Sequence, residues 1–215
     1  MRRLSLRLLT VKRCLPRLAR LAVRLSLRLT VRGLENVPRS GGVLITMNHL
    51  GGADSVLLMG FTPRDLAVIG KAEVLGWPVV GRLARAYGMI PVRRGEPERA
   101  ALQQAIEVLR SGRALLVAPE GRESLTHALE RAKEGAGFIA LHSRAAILPV
   151  GITGTAWPRV LAAWRRLRRP CVTLTFGQPY HLPPEMSRRE AADEIMRRIA
   201  ALLPPEYRGV YARKT

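Results

Sequence analysis

From Leu27 to Val31 apolar residues alternate with arginine and threonine, the two-residue period of a half-buried strand. Val43 to Met47 is instead a short, almost unbroken apolar run, which suits a strand buried on both faces. Leu66 to Ile69, Met89 to Val92, Ala114 to Val117 and Ile147 to Ile152 read as further strands, and Val172 to Phe176 alternates again. Between them lie helical segments. One starts near Asp54, whose charge suits a helix N-terminus. Another spans Pro78 to Tyr87 and ends at Gly88. Pro97 to Arg110 places Ala101, Ile106 and Leu109 near one face, with Gly112 closing it. Lys133 to His142 is a fourth, and Ser187 caps a last helix running to about Leu203. Gly33 to Gly42, with Pro38, is a loop. This alternation predicts an α/β fold: a single layered domain with a mixed, mostly parallel sheet flanked by helices. In such sheets ligands gather beyond the carboxyl ends of the strands. His49, Arg93, Arg94 and Glu120 each follow a predicted strand.

The N-terminal residues carry a different pattern. Arg13, Arg17, Arg20, Arg24 and Arg28 recur at the three-or-four step of one helical face, while Cys14, Leu18, Leu21 and Leu25 follow the same step beside them. Leu15 and Ala22 widen that apolar stripe, and Pro16 fits a first helical turn. Residues 1–26 are therefore expected to form a basic amphipathic, membrane-associating helical segment. The arginines interrupt every window of the ~20 apolar residues a spanning helix needs. They also break up any apolar core of a cleavable signal, and no cleavage site follows. The competing reading is a helix packed on its own domain with a solvated basic face.

Composition sharpens this picture. The chain has 215 residues, 47% hydrophobic and only 5% aromatic, so the core is expected to be aliphatic. A formal net charge of +20, mostly arginine, calls for a polyanionic partner: an anionic membrane, nucleic acid, or an acidic or phosphorylated partner. Near an anionic leaflet each arginine contributes about 1 kcal/mol, so several together would anchor the chain. Few aromatic stacking platforms and the apolar setting of the arginines argue against nucleic acid. Cys14 and Cys171 form no metal or redox motif and are expected as free thiols in a reducing compartment.

The candidate chemistry centres on Met47-Asn48-His49-Leu50-Gly51-Gly52-Ala53-Asp54. An imidazole at a strand end is followed five residues later by a carboxylate at a helix start. Two glycines between them allow a tight turn. An aspartate bonded to one ring nitrogen fixes the tautomer, so the other can accept a proton. Gly88-Met89-Ile90-Pro91-Val92-Arg93-Arg94-Gly95 delivers two adjacent guanidinium groups into a loop, which suits a phosphorylated substrate. In Ala118-Pro119-Glu120-Gly121-Arg122-Glu123-Ser124, Glu120 is placed to bind substrate hydroxyls or hold an arginine. Ile147-Leu148-Pro149-Val150-Gly151-Ile152 reads mainly as a buried strand.

Together, in this order and spacing, the segments resemble the glycerolipid acyltransferase family, the 1-acylglycerol-3-phosphate acyltransferase group. Its Asn-His, four variable residues, then Asp matches Asn48, His49 and Asp54. Its second block matches Gly88 and Arg94, its third Pro119, Glu120, Gly121 and Ser124, and its fourth Pro149 and Val150. The resemblance covers roughly Val31 to Phe176 and makes 27–215 the acyltransferase domain. It departs at Gly51, where a serine is usual, at Ala118, and at Arg122-Glu123, where the family has Thr-Arg. That arginine helps hold the acceptor's phosphate, so Glu123 leaves the acceptor open.

The resemblance implies acyl transfer from acyl-CoA or acyl-carrier protein, as co-substrate, to a lysophospholipid hydroxyl, first of all that of 1-acylglycerol-3-phosphate. His49 would act as general base oriented by Asp54. Arg93, Arg94, Glu120, Gly121 and Arg122 would bind substrate. No metal or other cofactor is expected. The expected setting is the cytoplasmic face of the membrane, peripheral or monotopic, with no nucleic-acid partner. Another lysolipid, such as a lyso-amino-lipid, is the alternative acceptor; a basic nucleic-acid-binding protein is the rival from another class. No Gly-x-Ser-x-Gly elbow or phosphate loop is present. Gly135-Ala136-Gly137 superficially fits a dinucleotide fingerprint but lacks a preceding strand, and is read as close helix packing.

Overall fold

The computed structural model describes residue 23 and residues 25–78, 80–93 and 99–212. Most of the expected amphipathic segment over 1–26, and Arg94, therefore lie outside the described residues. Seven strands form one sheet: β1 (Arg28–Arg32), β2 (Val43–Met47), β3 (Leu66–Lys71), β4 (Ile90–Val92), β5 (Ala114–Val117), β6 (Ala146–Thr153) and β7 (Cys171–Phe176). Their order is β1-β7-β6-β2-β5-β3-β4. Every neighbouring pair is parallel except β6 and β7, which are antiparallel. The sheet is thus mixed and mostly parallel, as the alternation of elements predicts.

β2 and β5 are buried at every position, because helices and connecting segments cover both faces of the sheet centre. Successive side chains divide between two cores. Leu44, Leu115 and Ile147 face helices α3 (Arg99–Arg110), α4 (Gly135–Ser143) and α6 (Arg188–Ala201). Val43, Ile45, Leu116 and Leu148 face the opposite way, onto α1 (Ala53–Phe61) through Leu57 and Leu58. The edge strand β1 exposes Arg28, Thr30 and Arg32 and turns Leu29 and Val31 toward this second core.

Helix α2 (Val80–Ala86) precedes β4. Helix α6 begins with a capping box in which the Ser187 side chain accepts from the Glu190 N–H and the Glu190 side chain accepts from the Ser187 N–H. At Gly137 a Cβ would stand 2.2 Å from the carbonyl oxygen of Arg188. Close approach of α4 and α6 is therefore the use of Gly137, one of the glycines that mimic a dinucleotide fingerprint.

One α-helix is not foreseen by the periodicity. Helix α5 (Trp157–Arg165) follows β6, and Val160 is its one buried residue among those described. Pro158 looks like a break in the sequence, yet a proline in the first helical turn loses no hydrogen bond. The chain then reverses into β7, which makes the one antiparallel pairing among the seven strands.

Candidate active site

His49 lies just beyond the carboxyl end of β2, and the next two residues begin the turn into α1. The residue before it anchors that exit. Asn48 is buried and donates from Nδ2 to the Ile152 carbonyl at 2.9 Å, while its Oδ1 accepts from the Ile152 N–H at 2.7 Å. Its amide thus imitates a peptide group and prolongs the β2–β6 pairing past Met47.

Asp54, wholly buried in the first turn of α1, gathers the turn around one oxygen. Its Oδ2 accepts from the N–H groups of Leu50, at 2.7 Å, and Gly51, at 2.9 Å. The same oxygen lies 3.0 Å from Nδ1 of His49. A carboxylate oxygen that accepts this bond puts the proton on Nδ1 and leaves Nε2 with its lone pair. The imidazole remains partly open to solvent, with its side chain 18% exposed. Gly51 is needed for closeness: a Cβ there would stand 2.8 Å from the Thr155 carbonyl oxygen in the β6–α5 connection.

The loop after β5 holds the His49 backbone from the other side. Glu120 is buried; its Oε1 accepts from the His49 N–H at 3.1 Å and its Oε2 from the Glu130 N–H at 2.9 Å. The Ser124 N–H donates to the His49 carbonyl at 2.7 Å. Burial pushes the Glu120 carboxyl up to about 7, although these two N–H donors pull the other way. Nothing in the sequence pattern assigns Glu120 and Ser124 to the His49 peptide. Gly121 sits beside them with φ 71.

The remaining sequence candidates are spread more widely. Arg122 donates through Nη2 to Oε2 of Glu130. The Leu125 N–H, followed by the charge of Arg122, holds Glu130 below the usual carboxylate range. Glu123 reaches the His49–Asp54 turn, its Oε1 lying 3.6 Å from where a Cβ on Gly52 would stand. Arg93 is exposed at the carboxyl end of β4. That strand is three places from β2, so Arg93 begins ~14 Å to the side of His49, at the same end of the sheet. Among the described residues, no group of three or more His, Cys, Asp or Glu side chains is assembled to hold a metal ion.

An imidazole with a fixed tautomer, partly open at the carboxyl end of parallel strands, can take a proton from a bound group. The family model described as "Acyltransferase" matches residues 28–153, more than half of the chain, and the chain belongs to that family. It is 29% identical over 131 residues to the 1-acyl-sn-glycerol-3-phosphate acyltransferase of Borreliella burgdorferi, covering 60% of this chain and 52% of that protein. It is 34% identical over 137 residues to the lyso-ornithine lipid O-acyltransferase of Pseudomonas aeruginosa, covering 63% of this chain and 51% of that protein. The chain spans about half the length of these relatives. The fold is similar to the crystal structure of the 1-acyl-sn-glycerophosphate (LPA) acyltransferase PlsC from Thermotoga maritima. The two superpose with a TM-score of 0.71 and 25% sequence identity, over 91% of this chain and 80% of the other.

Proposed function

We propose that the protein moves a fatty acyl group from a thioester, acyl-CoA or acyl-carrier protein, to the free hydroxyl of a lysophospholipid, first of all 1-acylglycerol-3-phosphate. The observation that carries this reading is the His49–Asp54 pair, held on both sides by backbone contacts within a chain of the acyltransferase family. Nε2 of His49 takes the hydroxyl proton as the acceptor oxygen attacks the thioester carbonyl. The carbon–sulfur bond then breaks, and the thiolate leaves with the proton returned from the imidazolium. Asp54 keeps the ring oriented and stabilises its charged form. Glu120 is assigned a positioning role rather than a direct substrate contact, since both its oxygens already serve backbone N–H groups. Arg93, at the end of β4, and Arg94, next to it in the sequence, supply guanidinium groups for a phosphate, while Arg122 is shared with Glu130. No metal or further cofactor enters these steps. The reaction is assigned to a peripheral or monotopic protein on the cytoplasmic face of the membrane. Among the described residues no helix is long and apolar enough to cross a membrane.

A second acceptor class has its own support. Glu123 puts a carboxylate beside the His49 turn, where an ammonium headgroup is a better neighbour than a phosphate. The similarity to the Pseudomonas aeruginosa protein points the same way. Offering lysophosphatidic acid and a lyso-ornithine lipid to the full chain in detergent micelles, with acyl-CoA or acyl-carrier protein, separates the two. The primary reading expects phosphatidic acid to be the faster product. A preference for the amino-lipid, reversed by Glu123→Arg, would establish the second. No acyl product from either acceptor, in folded protein, would defeat both.

A further inference from the structure

The single reversal in the sheet brings three features to one end. β2 and β6 are parallel and both finish there, β2 leading into His49. β7 is antiparallel to β6, with Thr153 opposite Thr173, so it starts where β6 stops. The 17 residues between these strands, which include α5, therefore leave from and return to the His49 end. β1 is parallel to β7, with Arg28 opposite Cys171, so the chain enters the domain at that end too. Two contacts tie these parts together. The Thr155 carbonyl lies against Gly51, and the Trp164 Nε1–H donates to the Ser26 carbonyl at 3.3 Å.

The surface of α5 is unlike that of a helix made only to pack. Trp157 is 58% exposed, and Trp164 stands edge-on to it with ring centres 6.1 Å apart. Just beyond the helix, Leu167 is 98% exposed and occupies the left-handed region, with φ 52. A branched side chain in that conformation, held wholly in water, contributes nothing to the core and strains the backbone. Arg165, Arg166 and Arg168 flank it, all exposed. No aspartate or glutamate occurs between Glu134 and Glu185, nor before Glu35. Indoles, a protruding leucine and acid-free arginines together fit a headgroup layer above hydrocarbon. A duplex groove would use the arginines and leave Leu167 without a role.

We propose that α5 and the turn after it are a docking surface for anionic phospholipid bilayers, setting the His49 end of the sheet against the lipid. The proposal deepens the lysolipid reading, and rests on it for the identity of what His49 meets there. Trp157, Trp164 and Leu167 enter the interface while the arginines meet lipid phosphates. An acceptor with its acyl chain still in the leaflet then reaches the imidazole without leaving the membrane.

The test uses the full chain carrying Trp77→Phe, so that Trp157 and Trp164 alone report fluorescence. Vesicles of phosphatidylcholine, with and without one-third phosphatidylglycerol, carry brominated acyl chains as quenchers. Binding to the anionic vesicles with quenching of the indoles is expected, and at least about tenfold weaker binding without phosphatidylglycerol. Leu167→Gly puts at φ 52 the residue that tolerates it, so its thermal midpoint should hold or rise while vesicle affinity falls about fivefold or more. Replacing Arg165, Arg166 and Arg168 by glutamine should cost about tenfold or more. Vesicle binding without quenching, undiminished by Leu167→Gly, would overturn the proposal. So would tighter binding to duplex DNA, or to an acidic acyl-carrier protein, with the indoles unquenched by lipid. Acyl transfer in detergent micelles is scored separately. Its failure beside intact quenching would remove the catalytic reading and leave the docking surface, and the converse would remove the surface alone.

Discussion

One oxygen of one carboxylate organises the turn that carries His49. Oδ2 of Asp54 accepts from two backbone N–H groups and faces the imidazole, whereas its buried Oδ1 has no hydrogen-bond partner among the described residues. Asp54→Asn would either face those donors with an amide or bury an NH2 group without an acceptor. Acyl transfer should fall by ~10²-fold or more, and unfolding stability by ~1–3 kcal/mol. A variant with wild-type rate and denaturation midpoint would show that the charge at this position does nothing. Glu120 gives a pH prediction. Its carboxyl ionises near 7 in the folded protein against 4.5 when free. The folded state therefore binds this proton more tightly. The associated stability is fully present below pH 4.5 and is lost as pH rises through about 7. At 1.36 kcal/mol per pH unit the loss is up to about 3 kcal/mol. Urea denaturation from pH 5 to pH 8 should show this decline, and Glu120→Gln should lack it; parallel curves would contradict it. The His49–Asp54 meeting was legible in the sequence, because five residues with two glycines leave few ways to fold. The clamp by Glu120 and Ser124 was not, since it joins residues about seventy positions apart through backbone atoms that no side-chain pattern records.

At the scale of elements, legibility followed burial. β2 and β5 have the boundaries expected from their apolar runs because both faces are covered and no residue of either strand is exposed. Helix α5 escaped notice because its aromatic stripe faces outward and Val160 alone, among its described residues, reaches a core. β7 was expected as a strand of a mixed sheet, but that it is the antiparallel one was not, for strand direction leaves no mark on composition. Glycine at the α4–α6 crossing is a strict packing demand, since the atom nearest a Cβ there is backbone and has nowhere to swing. Gly137→Ala should lower stability by ~2 kcal/mol or more, read as a drop in the denaturation midpoint with little change in slope. An unchanged midpoint would mean that the two helices separate freely.

For the whole molecule, the parallel centre of the sheet gathers strand ends, and the β6–β7 reversal adds the chain entry and α5 to that end. In the proposed scheme acceptor, donor and membrane would meet one face, and the +20 charge of the chain suits each of them, since lipid phosphates, CoA and acidic carrier proteins are all anionic. General-base action by His49 is the hinge of this scheme. The decisive measurement is acyl transfer to lysophosphatidic acid in detergent micelles, with acyl-CoA and acyl-carrier protein in turn, comparing the chain with His49→Ala at equal, folded concentration. Phosphatidic acid should form with the unaltered chain and fall by ~10²–10⁴-fold in the variant. A His49→Ala protein that keeps its full rate would show that the proton is taken elsewhere.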